Sequence, residues 1–129
     1  MVILTYVDTS AAMKLLFDEA ESEAALTFFA SSTDRRLVAS WPLHTVLHCA
    51  AGRRGDISPA NLATVLGAVD LIDITRGDLI TAGTQAPLRS NDAIHLAVAF
   101  RVGVDEIVTY DRELGDVASR AGITVLAPA

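Results

Sequence analysis

The chain has 129 residues, 51% hydrophobic and 20% charged, with 8 Gly and 4 Pro, the composition of one globular domain rather than of a disordered chain or a two-domain protein. Sixteen acidic residues against ten basic ones give a net charge of −6, which excludes sequence-blind nucleic-acid binding through a broad positive surface. The one cysteine, Cys49, excludes an internal disulfide and a Cys-rich zinc site, and the 5% aromatic content argues against a base-stacking platform.

In chain order, Val2 to Val7 is a continuous apolar run of strand length that ends at Asp8-Thr9-Ser10. It is too short for a secretory signal, and no later run reaches the roughly 18 apolar residues of a membrane span. A single cytoplasmic domain over residues 1–129, without a membrane partner, is the expectation. Ala11 to Phe17 reads as a helix capped by Thr9 or Ser10, and Glu21 to Ala30 as a second helix with Ala24, Leu26 and Phe28/Phe29 on its apolar stripe. Leu37-Val38-Ala39 reads as a short buried strand preceded by exposed loop charges at Arg35-Arg36. Ser40-Trp41-Pro42 opens a helix to about Ala51, closed by Gly52, with Arg53-Arg54 complementing its negative end.

Ser58-Pro59 opens a helix to about Val69, and Leu71 to Ile74 is the third strand. Thr75 and Asp78 have the spacing of a capping box, ahead of a helix to about Gln85. Ser90 opens a helix over Asn91 to Arg101 that Gly103 ends. Ile107 to Tyr110 is a fourth strand, followed by a short helix over Arg112 to Ala121 and a last strand at Thr124-Val125-Leu126. Strands apolar on both faces and separated by helices define an α/β fold: a central parallel β-sheet of four to five strands with helices on both faces.

Ligands of open parallel sheets gather beyond the carboxyl ends of the strands. Asp8 follows the first strand and Asp111 the fourth, and Asp92 lies in the first turn of the helix leading into the fourth. Three carboxylates converging there would repel one another unless a cation sat among them. An all-oxygen set favours Mg²⁺ or Mn²⁺ over zinc. Read singly, each Asp is more simply a cap or turn residue than a ligand, and Asp92 in a first helical turn favours the helix dipole in any case.

The sequences Tyr6-Val7-Asp8-Thr9-Ser10-Ala11, Arg89-Ser90-Asn91-Asp92-Ala93-Ile94-His95-Leu96-Ala97 and Val108-Thr109-Tyr110-Asp111-Arg112-Glu113-Leu114 together resemble the PIN-domain family. Within it the chain looks like a VapC-type toxin of a bacterial toxin–antitoxin pair, and the resemblance runs over essentially the full length. It implies a Mg²⁺- or Mn²⁺-dependent endoribonuclease with RNA as substrate, a VapB-type antitoxin as partner, and a homodimer. Asp8 and Asp111 would ligate the metal, with Asp92 as a further ligand or as the orienter of the attacking water. Thr9 and Ser10 would support the metal shell or contact phosphate, or serve as the helix cap.

One position departs from the family. A fourth acid, a Glu six residues beyond the Ser that opens the helix after the second strand, is usual there, and counting from Ser40 reaches Val46. Valine binds no metal and moves no proton. The site either works with three acids and added water, or the domain persists mainly as an antitoxin-binding protein. His44 and His48 flank Val46 and point away from its helical face, and Cys49 reads as a small core residue. His95, three residues after Asp92, reads as a hydrogen-bonded packing residue beneath the site, with metal ligation as the other reading. Arg89 and Arg112 are candidates for RNA phosphate, or hold the adjacent carboxylates in place.

The antitoxin's groove is expected near the first helices, with Met13, Leu16, Phe17, Phe28, Phe29 and Trp41 as groove or core residues. A phosphate-accepting receiver domain would place a Lys near the acidic pocket, whereas the one Lys, Lys14, lies in the first helical segment. No G-x-G-x-x-G follows the first strand, which excludes a dinucleotide fold.

Overall fold

Within each strand, neighbouring residues serve different cores. In the computed structural model, which describes residues 1–31 and 34–129, Val7, Ala39 and Val108 enter one apolar cluster. Their predecessors Tyr6, Val38 and Ile107 enter another on the opposite side. This is the two-residue side-chain period of strands buried on both faces.

The strands are β1 (Ile3–Val7), β2 (Arg35–Ser40), β3 (Asp70–Ile72), β4 (Glu106–Val108) and β5 (Thr124–Leu126). They form a five-stranded sheet in the order β3-β2-β1-β4-β5, with every pairing parallel. Around it run α1 (Thr9–Leu16), α2 (Ser22–Ser31), α3 (Pro42–Arg54), α4 (Pro59–Gly67), α5 (Arg76–Ala82), α6 (Ser90–Val102) and α7 (Arg112–Arg120). Helices α1, α3 and α4 cover the Val7 face, and α6 and α7 the Tyr6 face. The expected α/β architecture is therefore present with all five strands. The chain winds outward from β1 through β2 to β3, then crosses to β4 and β5 on the other side. The carboxyl ends of β1 and β4 thus flank a topological switch point.

Several boundaries move for identifiable reasons. Asp8, not Thr9 or Ser10, caps α1, its carboxylate accepting from the Ala11 amide; Thr9 and Ser10 fall inside the first turn. Helix α3 runs past Gly52 to Arg54 and stops at Gly55, whose φ of 75° is the left-handed conformation that glycine adopts without strain. Its N-cap is Trp41, because Ser40 is still in β2. The N-cap of α6 is Arg89 without a side-chain bond, so Ser90 is its first helical residue rather than its cap.

Arg35 and Arg36 are not loop charges. Both lie in β2, where Arg35 Nε donates to Glu106 at 2.6 Å and Arg36 Nε to Asp70 at 2.8 Å. The former pair lets Glu106 stay buried, with Thr5 Oγ1 as its second donor at 2.8 Å. The capping box at Thr75 and Asp78 is complete, and Arg101 from α6 closes on Asp78 at 2.8 Å. Ser58 caps α4 as expected. Among the described residues, no helix is long and apolar enough to cross a membrane.

Candidate active site

The site is built around Asp8, which is 1% exposed. Its Oδ1 accepts from Ser10 Oγ at 2.8 Å and from the Ala11 amide at 2.9 Å. Its Oδ2 accepts from Thr109 Oγ1 at 2.5 Å. A carboxylate offers about four acceptor positions, so three protein donors leave one, on Oδ2. Burial dominates its titration, pushing the carboxyl from 3.8 up to about 6; the three hydrogen bonds oppose that rise and the charge of Asp92 adds to it.

Asp111 follows β4 after Thr109 and Tyr110 and caps α7, accepting from the Leu114 amide at 2.9 Å. Thr109 joins the two acids. Its hydroxyl donates to Asp8 while accepting the Asp111 amide at 3.0 Å. Ser10 makes a parallel link, donating to Asp8 and accepting the Tyr110 amide at 2.8 Å. Asp92 is half-buried in the first turn of α6. Burial raises its carboxyl first, Asp111 and then Glu113 raise it further, and Arg89 pulls it down. Asp8 with Asp92, and Asp92 with Asp111, are therefore electrostatic neighbours at the switch point. Among the described residues, no group of three His, Cys, Asp or Glu side chains is arranged to hold a metal ion.

Beneath the acids lies a buried polar chain. His95, fully buried, meets Tyr6 Oη at 2.6 Å and Ser40 Oγ at 3.2 Å through Nδ1, and Thr9 Oγ1 at 3.0 Å through Nε2. Tyr6 Oη donates to Ser40 Oγ and accepts the Ser40 amide. Burial lowers the His95 pKa from 6.5 to about 4, so the ring is neutral, with one nitrogen donating and the other accepting. This is the packing role expected of His95. Both ring nitrogens are engaged, which leaves none for a metal.

The remaining candidates divide. Arg89 acts electrostatically on Asp92. Arg112 is exposed in the first turn of α7 and shares a cleft of about 390 Å³ with Thr109, Asp111 and Asp116. Val46 is half-buried in α3. Cys49 is exposed, not a core residue, because α3 turns Leu47 and Ala50 inward instead. Leu16 and Phe17 are core; Met13, Phe28 and Phe29 pack against it; Trp41 is exposed. An apolar cleft of about 350 Å³ does open between α1, α2 and α4, bordered by Leu15, Leu16, Leu26, Phe29 and Val65.

Sequence reading missed Thr109, which it placed as one more strand residue, and Glu113, to which it gave no role. Thr109 lies just beyond β4, and a hydroxyl two residues before Asp111, directly after the apolar pair Ile107-Val108, is the available signal for it.

The stretch that builds this sheet and places the acids beside β1 and β4 matches the PIN domain family over residues 5–120. The chain is 35% identical over 127 residues to Ribonuclease VapC46 of Mycobacterium tuberculosis, covering 95% of this chain and 96% of that protein. It belongs to the PIN-domain family, on its VapC branch. The fold is similar to the crystal structure of M. tuberculosis VapC20, a sarcin–ricin-loop-cleaving toxin, with a TM-score of 0.74 at 19% identity over 96% of this chain and 99% of that one. It is also similar to a chain of a Klebsiella pneumoniae toxin–antitoxin complex, with a TM-score of 0.69 at 19% identity over 97% and 98% of the two chains.

Proposed function

We propose that the protein is a divalent-cation-dependent endoribonuclease, the toxin of a toxin–antitoxin pair, acting in the cytoplasm. The observation that carries this reading is Asp8: a carboxylate 1% exposed, neighboured by the acid Asp92 and raised by burial in spite of three hydrogen bonds. Removing negative charge or adding positive charge relieves that arrangement, and a dication does the latter. The donor chemistry fits a hard ion, since every available group is an oxygen. Mg²⁺ characteristically takes one or two carboxylates and completes its shell with water and substrate phosphate, so a closed three-ligand cage is not required.

A dication held here would supply a water of lowered pKa and positive charge against the phosphodiester. One or two of the carboxylates of Asp8, Asp92 and Asp111 would hold it, with Asp92, more accessible than Asp8, suited to orient the attacking water. Ser10 and Thr109 fix the Asp8 carboxylate from both oxygens, and Thr109 ties that geometry to the Asp111 backbone. Arg112, which shares a cleft with Asp111, and Arg89, which acts on Asp92, are both exposed and would be the phosphate contacts. Val46 withholds the acid usual in this family, which lowers both charge and ligand number.

The kinship with proteins named Ribonuclease VapC supports the activity, and the similarity to a toxin–antitoxin complex supports the partner. The test is cleavage of an RNA panel in Mn²⁺ and in Mg²⁺, with Asp8→Asn prepared in parallel. Metal-dependent cutting by the wild type alone is expected. Equal cutting by both proteins would assign the activity to a contaminant. The substitution at Val46 favours a second reading, an antitoxin-binding domain with little activity of its own, which predicts no cutting in either ion but retained capture of the antitoxin.

A further inference from the structure

The chain has three histidines, and the hydrogen bonding of His95 accounts for only one. His44 and His48 stand four residues apart on α3, on the same helical face, with ring centroids 4.3 Å apart and planes inclined at 36°. Their surroundings are each other, the Trp41 ring 5.3 Å from His44, and the rim of an apolar cleft of about 590 Å³ bordered by Ala51, Ile57, Leu62 and Leu66. The opposite face of α3 is anchored in the core by Leu43, Leu47 and Ala50, so both imidazoles project from a backbone that cannot readily shift.

Two imidazoles at this spacing on one helical face are a chelating pair. The i, i+4 spacing and the 4.3 Å between the rings put both side chains within reach of one ion. Imidazole nitrogen prefers Zn²⁺, Ni²⁺ or Cu²⁺, and carboxylate oxygen prefers Mg²⁺; the pair is therefore chemically separate from the acids around Asp8. Cys49 is exposed, but as the residue after His48 it is rotated by about 100° around the helix and does not share this face.

We propose that His44 and His48 form a second cation site, taking one imidazole-preferring transition-metal dication on the outer face of α3. With only two protein ligands, the remaining coordination positions stay open to water or to a donor group arriving at the neighbouring cleft. Occupancy places positive charge at the edge of an otherwise apolar surface. This inference is independent of the nuclease reading.

Trp41, the one tryptophan, is a built-in reporter. The experiment is a titration of Ni²⁺ into the untagged full-length chain, with Mg²⁺ in excess to occupy carboxylates, following tryptophan emission. Saturable quenching at one ion per chain is expected. His44→Gln and His48→Gln are each expected to weaken binding by roughly tenfold or more, at least the loss seen when a supporting partner of a metal ligand is removed. Asp8→Asn and Cys49→Ser should titrate like the wild type. Nitrogen NMR with Zn²⁺ supplies a readout without any substitution: the ring signals of His44 and His48 shift and those of His95 do not. The proposal is overturned if the wild type shows no saturable quenching, if the double His44/His48 variant binds as the wild type does, if Cys49→Ser abolishes binding, or if the NMR shifts fall elsewhere.

Discussion

Replacing Asp8 by Asn is expected to stabilise the metal-free protein while abolishing cleavage. The unfolded chain releases the Asp8 proton near 3.8, whereas the folded chain holds it up to about 6. Across that interval the native state binds more protons, so the contribution of Asp8 to stability falls as pH rises. Above it, keeping the buried carboxylate ionised costs about 3 kcal/mol. The amide in Asp8→Asn has no charge to desolvate. Its oxygen still accepts the Ala11 cap bond, a role Asn fills as well as Asp. Its NH₂ faces the Thr109 hydroxyl, which can rotate to accept. Urea unfolding of both proteins in chelator, near pH 4 and near pH 8, measures the difference. The variant is expected to match the wild type in acid and to exceed it by about 3 kcal/mol in alkali. Adding Mn²⁺ should narrow that gap, because the ion binds the native wild type alone. A variant less stable than the wild type near pH 8 would refute the account of Asp8 as a strained, cation-requiring carboxylate.

His95 titrates with the opposite sign. Its folded pKa of about 4 lies below the ordinary 6.5, so its contribution is complete above 6.5 and about 3 kcal/mol is lost as pH falls toward 4. In the wild type this slope is masked by Asp8 over the shared interval. Asp8→Asn should unmask it as a steeper acid loss, and an unchanged pH profile would count against it. Thr109→Val removes the hydroxyl that holds Asp8 to the Asp111 backbone and should cost about 1.5–3 kcal/mol in neutral urea melts. It should also raise the Asp8 titration seen by carboxyl NMR, with Thr109→Ser restoring both, and a neutral effect would remove Thr109 from the site. Val46→Glu adds one oxygen ligand and one negative charge, and calorimetric titration of Mn²⁺ is expected to show roughly tenfold tighter binding or more, with faster RNA cleavage. Unchanged affinity would mean that residue 46 does not reach the ion.

The architecture was legible because its signals are local. Short runs such as Tyr6-Val7 and Ile107-Val108 put apolar side chains at consecutive positions, which a strand covered on both faces buries, and the Ser58-Pro59 and Thr75/Asp78 caps lie within one turn of the helices they start. Boundaries failed where a distant partner decided them. Arg35 and Arg36 look like loop charges until Glu106 and Asp70, contributed by β4 and β3, are placed beside them. Gly52 looks like a helix stop, but the left-handed turn that ends α3 falls at Gly55. Ser40 looks like a cap, yet its hydroxyl is taken by Tyr6 and His95.

The acids show the same division more sharply. Asp8, Asp92 and Asp111 could be picked out from their places at strand ends and in a first helical turn, but what makes Asp8 unusual is contributed from 101 residues away. The Thr109 hydroxyl satisfies one oxygen while the surrounding core removes water from both. Asp8 also answers to two demands. The bond from the Ala11 amide starts α1, and under the proposed function the same carboxylate would also hold the cation. A cap residue tolerates Asn, Ser or Thr with little loss of stability, whereas a site holding a cation does not tolerate the loss of charge. The substitution that separates these two demands is therefore the conservative one. Asp8→Ala would disturb both, and only Asp8→Asn distinguishes an aspartate placed for folding from one placed for chemistry.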